Sequence, residues 1–343
     1  MTTLKELAED TGFSITTISR VLSDDPTMSV PDSTRTAILE AAGRLHYKED
    51  AVPRSRRVRK TRETGLRFGL AEMLSPAEQL DDPYYLYLRT YAQQQCRDSG
   101  HVLLPVSAAA GAPQPPRRLD GVLAVGVFDA GEIQRLARLS RNLVFLDSSP
   151  DELRFDSVVL DFRLGTEQAL DALTDMGHRR IGFLGPDRKL DQRRRPAPEV
   201  LRQCYVSYMR RRELYDPALL LETAPDAAAA RVSVARLLAG RTPRPTALLA
   251  ANEETAIGAV RALREGGLRV PQDVSVISFN DTPRSVLTDP PLTSVSTHAD
   301  VMSAAAVELL ARRAEIPMRL PLKLVVPPTL IRRESSCPPP VCR

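Results

Sequence analysis

Residues 3–22, TLKELAEDTGFSITTISRVL, hold two short apolar-patterned segments, each with its own cap, divided by a single glycine. Few folds accept that pattern. Thr3 and Glu6 stand in the T-x-x-E relation that satisfies orphan amides at a helix start. Leu4, Leu7 and Ala8 then repeat at i, i+3, i+4 along one helical face. Gly12 supplies the permissive backbone where this helix stops and turns, and Ser14 is a good N-cap for the next. Ile18, Val21 and Leu22 point inward on the same spacing, which leaves Ile15, Thr16, Thr17, Ser19 and Arg20 outside. A third helix starts near Pro31, a residue favoured in a first turn. Its stripe is Ile38, Ala41, Ala42 and Leu45, with Tyr47 closing the small core. The pattern predicts a compact helix-turn-helix whose second helix presents small polar groups and one arginine, the chemistry that reads a DNA major groove. An ordinary three-helix corner with a solvated polar face is the competing reading.

The chain has 343 residues, far more than such a headpiece needs, so the remainder can bury one large or two medium cores. Its net charge of +4 is modest, and the distribution is more telling. Residues 1–50 carry five Lys/Arg against nine Asp/Glu. From Arg54 to Arg62 six of nine residues are basic, so nonspecific phosphate affinity should sit mostly in this segment. Alone, such a run would be a solvated tether; beside a helix-turn-helix it suits a linker that tracks DNA. No basic-then-apolar signal opens the chain and no apolar run reaches membrane-spanning length, which predicts a cytoplasmic protein with no membrane partner. The four cysteines are scattered without a C-x-x-C pair, so neither a metal site nor a disulfide framework is expected. Cys337 and Cys342 lie within a Pro-rich stretch, 333–343, read as a disordered tail.

From Leu66 onward strand-like and helix-like runs alternate. Strands are expected near 66–71, 102–106, 121–127, 143–147, 181–185, 246–250 and 274–279, and helices near 84–99, 164–176, 232–238 and 255–265. Such alternation implies parallel sheets with crossover helices, and the length fits two of them. No GxGxxG or Walker loop supports nucleotide binding, and no cofactor is expected.

The segments TLKELAEDTGFSITTISRVL and VPDSTRTAILEAAGRLHY resemble the DNA-binding domain of LacI/GalR-family transcription regulators. DDPYYLYLR, VVLDF, MGHRRIGFLG, LLAANEETAIGAVRALREGGLRVPQDVSVISFND and PPLTSV resemble the same family's effector domain, so the likeness covers nearly the whole chain. The resemblance implies an N-terminal all-α helix-turn-helix domain at 1–48, a basic hinge at 49–64, and an α/β effector and dimerisation domain at 65–332. That last domain would have the periplasmic-binding-protein-like fold, two Rossmann-like parallel-sheet subdomains. It further implies a homodimer on near-palindromic double-stranded operator DNA, a small carbohydrate effector, and no catalysis. The DPYY and VPQDVSVISFND stretches are most similar to repressors of β-galactoside genes, the evolved β-galactosidase repressor type.

Carried over by position, Ile15 and Thr16 become base readers and Arg20 a further base contact, while Thr3, Ser14, Thr17, Ser19 and Thr34 fall where the family contacts phosphate. Ile15 suits a thymine methyl and Arg20 a guanine edge; phosphate contacts set register without reading sequence. The family's hinge follows Tyr-x-Pro-Asn with Ala-x-x-Leu, and wedges that leucine into the minor groove. This chain instead reads Tyr47-Lys48-Glu49-Asp50, then Pro53-Arg54-Ser55-Arg56, with Arg56 in the wedge position. Arginine suits a narrow, negative minor groove better than intercalation, so Arg54 and Arg56 are expected to give weaker kinking and stronger salt dependence.

In open parallel sheets ligands sit beyond the C-terminal strand ends. There the sequence supplies Asp147, Asn252 and Asn280, with Tyr84 and Tyr85 after the first strand. Amides and carboxylates suit sugar hydroxyls. Each has a competing role: Asn252 and Asn280 as helix caps, the tyrosines as core residues. Two departures stand out. Asn252-Glu253 replaces the family's frequent Asn-Asp, and Pro198 falls where an effector-clamping arginine is often found, leaving Arg195 as a substitute. A sugar-binding protein of this fold without a DNA role is the alternative, and a sugar-processing enzyme a more distant one, since none of the four histidines sits in a nucleophile or metal arrangement.

Overall fold

A computed structural model of the chain describes residues 4–22, 30–45, 65–109, 111, 118–186, 200–316 and 320–340. It divides into two compact units, Met1–Glu63 and Thr64–Arg343.

The first unit contains helices α1 (Leu4–Thr11), α2 (Ile15–Leu22) and α3 (Asp32–Arg44). Gly12 adopts φ +72°, the left-handed geometry that lets α1 end and α2 begin three residues later. Leu7, Ile18, Val21, Ile38, Ala41 and Ala42 form the buried core, flanked by Leu4, Ala8, Phe13, Leu22, Val30 and Leu45. Pro31 stands just before α3, its carbonyl accepting from the amides of Thr34 (3.0 Å) and Arg35 (3.1 Å). Arg44 pairs with Asp10 across α3 and α1 at 2.8 Å. Tyr47, expected to close this core, lies outside the described residues, as do Thr3, Arg54 and Arg56.

The second unit begins with β1 (Arg67–Glu72), α4 (Glu78–Asp81), α5 (Pro83–Asp98), β2 (Val102–Pro105), β3 (Gly121–Val125), α6 (Ala130–Leu139), β4 (Leu143–Leu146) and β5 (Asp156–Leu160). Next come α7 (Phe162–Asp175), β6 (Ile181–Gly185), α8 (Val200–Arg211), β7 (Leu220–Glu222), α9 (Ala227–Ala239), β8 (Ala247–Ala250), α10 (Glu253–Glu265), β9 (Ser275–Asn280) and β10 (Thr293–Ser296). Finally α11 (Ala299–Glu315) leads to β11 (Lys323–Val326) and β12 (Thr329–Ile331). Two sheets result, ordered β11-β5-β4-β3-β1-β2 and β12-β10-β9-β8-β6-β7. Every pairing is parallel except β10 with β12. The central strands β3, β4, β6 and β8 are buried along their whole length, as expected where helices cover both faces of a parallel sheet.

The chain builds most of one sheet, crosses through α7, builds most of the other, then returns. Helix α11 packs in the first core through Met302, Ala306, Val307 and Leu310, so β11 joins the first sheet and β12 the second. Beside the edge strand β11, Asp156 of β5 is fully buried. Its carboxylate pairs with the Arg313 guanidinium of α11 and accepts the Leu322 amide at 2.6 Å just before β11.

The expected disordered tail from residue 333 is a correction as far as Pro340. Ser335 is fully buried and exchanges two bonds with Val276: its carbonyl accepts the Val276 amide at 2.8 Å and its hydroxyl donates to the Val276 carbonyl at 2.6 Å. The Ser275 hydroxyl donates to the Cys337 carbonyl at 2.9 Å. These partners lie far away in sequence, which is why the proline-rich composition alone misleads. His178 completes the clasp, with Nε2 at 2.8 Å from the Cys337 carbonyl and Nδ1 at 2.9 Å from the Thr246 hydroxyl. A carbonyl only accepts, so Nε2 carries the proton and Nδ1 accepts from Thr246. Burial pushes the His178 pKa below its ordinary 6.5, partly offset by the bond to Cys337. A depressed pKa contributes stability that is whole above the unfolded value and lost as pH falls towards the folded one. Unfolding free energy should therefore drop on acidification below about 6.5, and His178→Gln should flatten that slope. Urea titrations at pH 7.5 and 5.5 would show it; equal slopes in both proteins would remove His178 as the cause.

Candidate DNA-reading helix and effector cleft

Helix α2 is built to be held by one side and read from the other. Ile18 and Val21 are buried, whereas Ile15 is 48% exposed and Thr16 and Arg20 are exposed with it. Ile15 with Ser19, and Thr16 with Arg20, are i,i+4 pairs forming two adjacent rows on the open face. Ser14 caps the helix, its hydroxyl accepting the Thr17 amide at 3.1 Å and lying 2.8 Å from the Thr17 hydroxyl. Both hydroxyls thus sit at a helix N-terminus, where backbone amides and the helix dipole favour an anion such as phosphate. Thr34 occupies the first turn of α3 and is half-buried.

In the larger unit, two expected effector contacts stand at C-terminal strand ends in strained geometry. Asp147 follows β4 with φ +70°, and Asn280 ends β9 with φ +91°. Left-handed backbone at non-glycine residues is uncommon and clusters at functional sites. Asp147 is met by both tyrosines from the start of α5. The Tyr85 hydroxyl donates to Oδ2 at 2.9 Å and the Tyr84 hydroxyl to Oδ1 at 3.4 Å. The two rings lie edge to face, 5.3 Å apart, and both are buried. Their core role and their polar role therefore coexist: the rings fill the first core while the hydroxyls orient Asp147.

Asn280 and Tyr84 meet again in a cavity of about 70 Å³. Tyr87 and Tyr91 from α5, Ser296 from the end of β10, and His298 and Asp300 at the start of α11 complete much of its wall. The rings of Tyr87 and Tyr91 are stacked at 6.3 Å. Sequence reasoning passed over this pair, although tyrosines at 84, 87 and 91 fall on the 3-then-4 spacing of one helical face. The Asn280 side-chain amide has no hydrogen-bond partner among the described residues.

Asn252 is placed differently. It caps α10: Oδ1 accepts the Thr255 amide at 2.9 Å, Nδ2 donates to the Pro225 carbonyl at 2.9 Å, and the Thr255 hydroxyl accepts the Asn252 amide at 3.2 Å. Arg195, like Arg193, Arg194 and Pro198, lies outside the described residues. Among the described residues no group of three or more His, Cys, Asp or Glu could hold a metal, and no helix is long and apolar enough to cross a membrane.

Known proteins share this architecture. A family described as a periplasmic binding protein-like domain matches residues 170–336. The HTH-type transcriptional regulator GalR of Lacticaseibacillus casei is 34% identical over 338 residues, spanning 98% of this chain and 100% of that protein. The solved transcriptional regulator CelR–cellobiose complex superposes with a TM-score of 0.65 at 22% identity, covering 98% of this chain and 100% of that one. The lac repressor dimer bound to operator and the anti-inducer ONPF gives a TM-score of 0.67 at 22% identity, with coverage of 98% and 99%.

Proposed function

Because the chain belongs to the LacI/GalR family of transcriptional regulators, we propose that it represses transcription as a homodimer on operator DNA and that a small carbohydrate, a β-galactoside first among them, sets its operator affinity. Residues 1–48 read DNA, 49–64 form the basic linker, and 65–332 bind effector and dimerise. Ile15, Thr16 and Arg20 contact bases; Thr3, Ser14, Thr17, Ser19 and Thr34 contact phosphate; Arg54 and Arg56 follow the minor groove. Asp147, Tyr84, Tyr85, Asn280 and Arg195 frame the effector, while Asn252, its side chain engaged in capping, fixes the start of α10.

The observation that carries the effector reading is Asn280. An amide held in strained backbone, with no hydrogen-bond partner among the described residues, shares a cavity with an aromatic ring whose hydroxyl is tied to a carboxylate. Sugar hydroxyls both donate and accept, and sugar ring faces are apolar, so this grouping suits them. The cellobiose held by one relative of the same fold and the operator held by another support the two halves of the reading. The mechanism is linkage: a sugar changes operator affinity only through its differential affinity for the DNA-competent and DNA-incompetent arrangements. No catalytic step is assigned. His178 and His298 are engaged with Thr246, Cys337 and Thr329.

Calorimetry with lactose, galactose and cellobiose, beside footprinting upstream of the protein's own gene with and without each sugar, tests this. Heat with a β-galactoside and a sugar-dependent footprint are expected, and Asn280→Ala should weaken sugar binding by about 1–2 kcal/mol. Silence with lactose would remove the β-galactoside. A footprint indifferent to every sugar would remove carbohydrate control.

A further inference from the structure

Glu253 opens α10 directly after the Asn252 cap and is only 4% exposed. A buried carboxylate needs compensating donors, and those found all come from one short segment. Oε1 accepts the Thr282 amide at 2.7 Å and the Ser285 hydroxyl, and Oε2 accepts the Thr282 hydroxyl at 2.7 Å. Burial pushes the Glu253 carboxyl above its usual range, and these hydrogen bonds partly hold it down. The donors sit on the loop that leaves β9 through Asn280 and Asp281, both left-handed, at φ +91° and +52°. From the other side Arg333 donates to Asp281 Oδ1 at 2.6 Å and to the Leu292 carbonyl at 2.7 Å.

We propose that Glu253 is a positioning residue for the effector site: by gripping Thr282 and Ser285 it keeps the loop after β9 in the turn that presents the Asn280 amide to the cavity. The proposal rests on Asn280 being an effector contact. Two successive left-handed non-glycine residues persist only where their surroundings over-determine them. Arg333 and Glu253 supply that constraint from opposite ends of the segment. The departure from the family's frequent Asn-Asp thereby acquires a role. An aspartate at 253 is one methylene shorter and gives up the Ser285 hydroxyl.

An acidic residue in a first helical turn is also favoured by the helix dipole, and that purely local role must be separable. Glu253→Gln loses the charge but keeps one oxygen for the Thr282 amide and the Ser285 hydroxyl, and sets an NH2 against the Thr282 hydroxyl, which can turn to accept; Ser285→Ala and Glu253→Asp keep the charge and lose a grip on the loop. Glu253→Ala leaves three buried donors unmet and is expected to fold poorly, so the milder variants carry the test. In the full-length chain, amide exchange by mass spectrometry over 279–287 and calorimetry with lactose are the readouts. Glu253→Asp and Ser285→Ala should speed exchange of that segment at least tenfold and weaken lactose binding at least fivefold. Exchange elsewhere and sugar-free affinity for upstream DNA should stay within twofold, and Glu253→Gln should match the parent. Unchanged exchange in the segment, or parental lactose affinity in both grip variants, overturns the proposal. Should the parent protein give no heat with lactose or any sugar of the panel, the effector reading falls, and exchange alone then decides whether Glu253 holds the loop.

Discussion

Arg20→Ala should weaken binding to the cognate operator by about 1–3 kcal/mol, roughly 5- to 150-fold, and relax preference at one base pair. Arg20 lies in the last turn of α2, on the face turned away from Ile18 and Val21. Its five N–H donors form a fixed fork that matches the O6 and N7 acceptors of guanine. Losing the fork removes base discrimination, whereas losing a phosphate contact would weaken all sequences alike. The core around Leu7 and Ile38 is untouched, so the melting transition should scarcely move. Arg20→Lys keeps the charge but not the planar pair of donors, so it should recover little of the discrimination. Fluorescence anisotropy with the native operator and single base-pair variants is the measurement. If the alanine variant still ranks those sites as the parent does, Arg20 does not read a base.

Asp156→Ala should cost about 3–5 kcal/mol of stability in the larger unit, because removing one partner leaves a buried charge uncompensated. Arg313 is 11% exposed at its side chain and Asp156 not at all. The same carboxylate accepts the Leu322 amide, so the substitution also strips a hydrogen bond from the entry to β11. Asp156→Asn keeps an acceptor for one of the two and should fall between the extremes. The converse replacement of both Asp156 and Arg313 by apolar residues of similar volume should recover much of the loss, since a buried pair is expensive to desolvate. Urea denaturation followed by circular dichroism decides it; a loss below about 1 kcal/mol for the alanine variant would mean that water reaches the pair.

Legibility in the sequence followed where the partners are. The headpiece was readable because its signals are local: Gly12 for the turn, Ser14 for the cap, Ile18 and Val21 for the buried face. The central strands were readable because burial on both faces writes an unbroken apolar run, as in LVFL of β4 and ALLA of β8. The edges were not. Three of the four residues of TSVS in β10 carry hydroxyls, and the strand is buried because Ser294 bonds Ser278 at 2.9 Å and Thr293 receives a bond from Arg333, contacts no window around residue 294 contains. Ser335 is the same case. At the cleft, Asp147 and Asn280 could be named from their place after apolar runs, and the capping of α10 from Asn252 and Thr255 three apart. That the Tyr84 and Tyr85 hydroxyls turn onto Asp147 depends on how α5 lies against β4, a tertiary fact.

The return of the chain to both sheets also governs their assembly. Since β11 and β12 come from one short segment and each closes one edge, neither half of the larger unit can be sealed before residues 323–331 are in place. Losing residues 323–331 alone would leave two bare strand borders at once, inviting aggregation. Neither half can therefore be cut out as one continuous fragment.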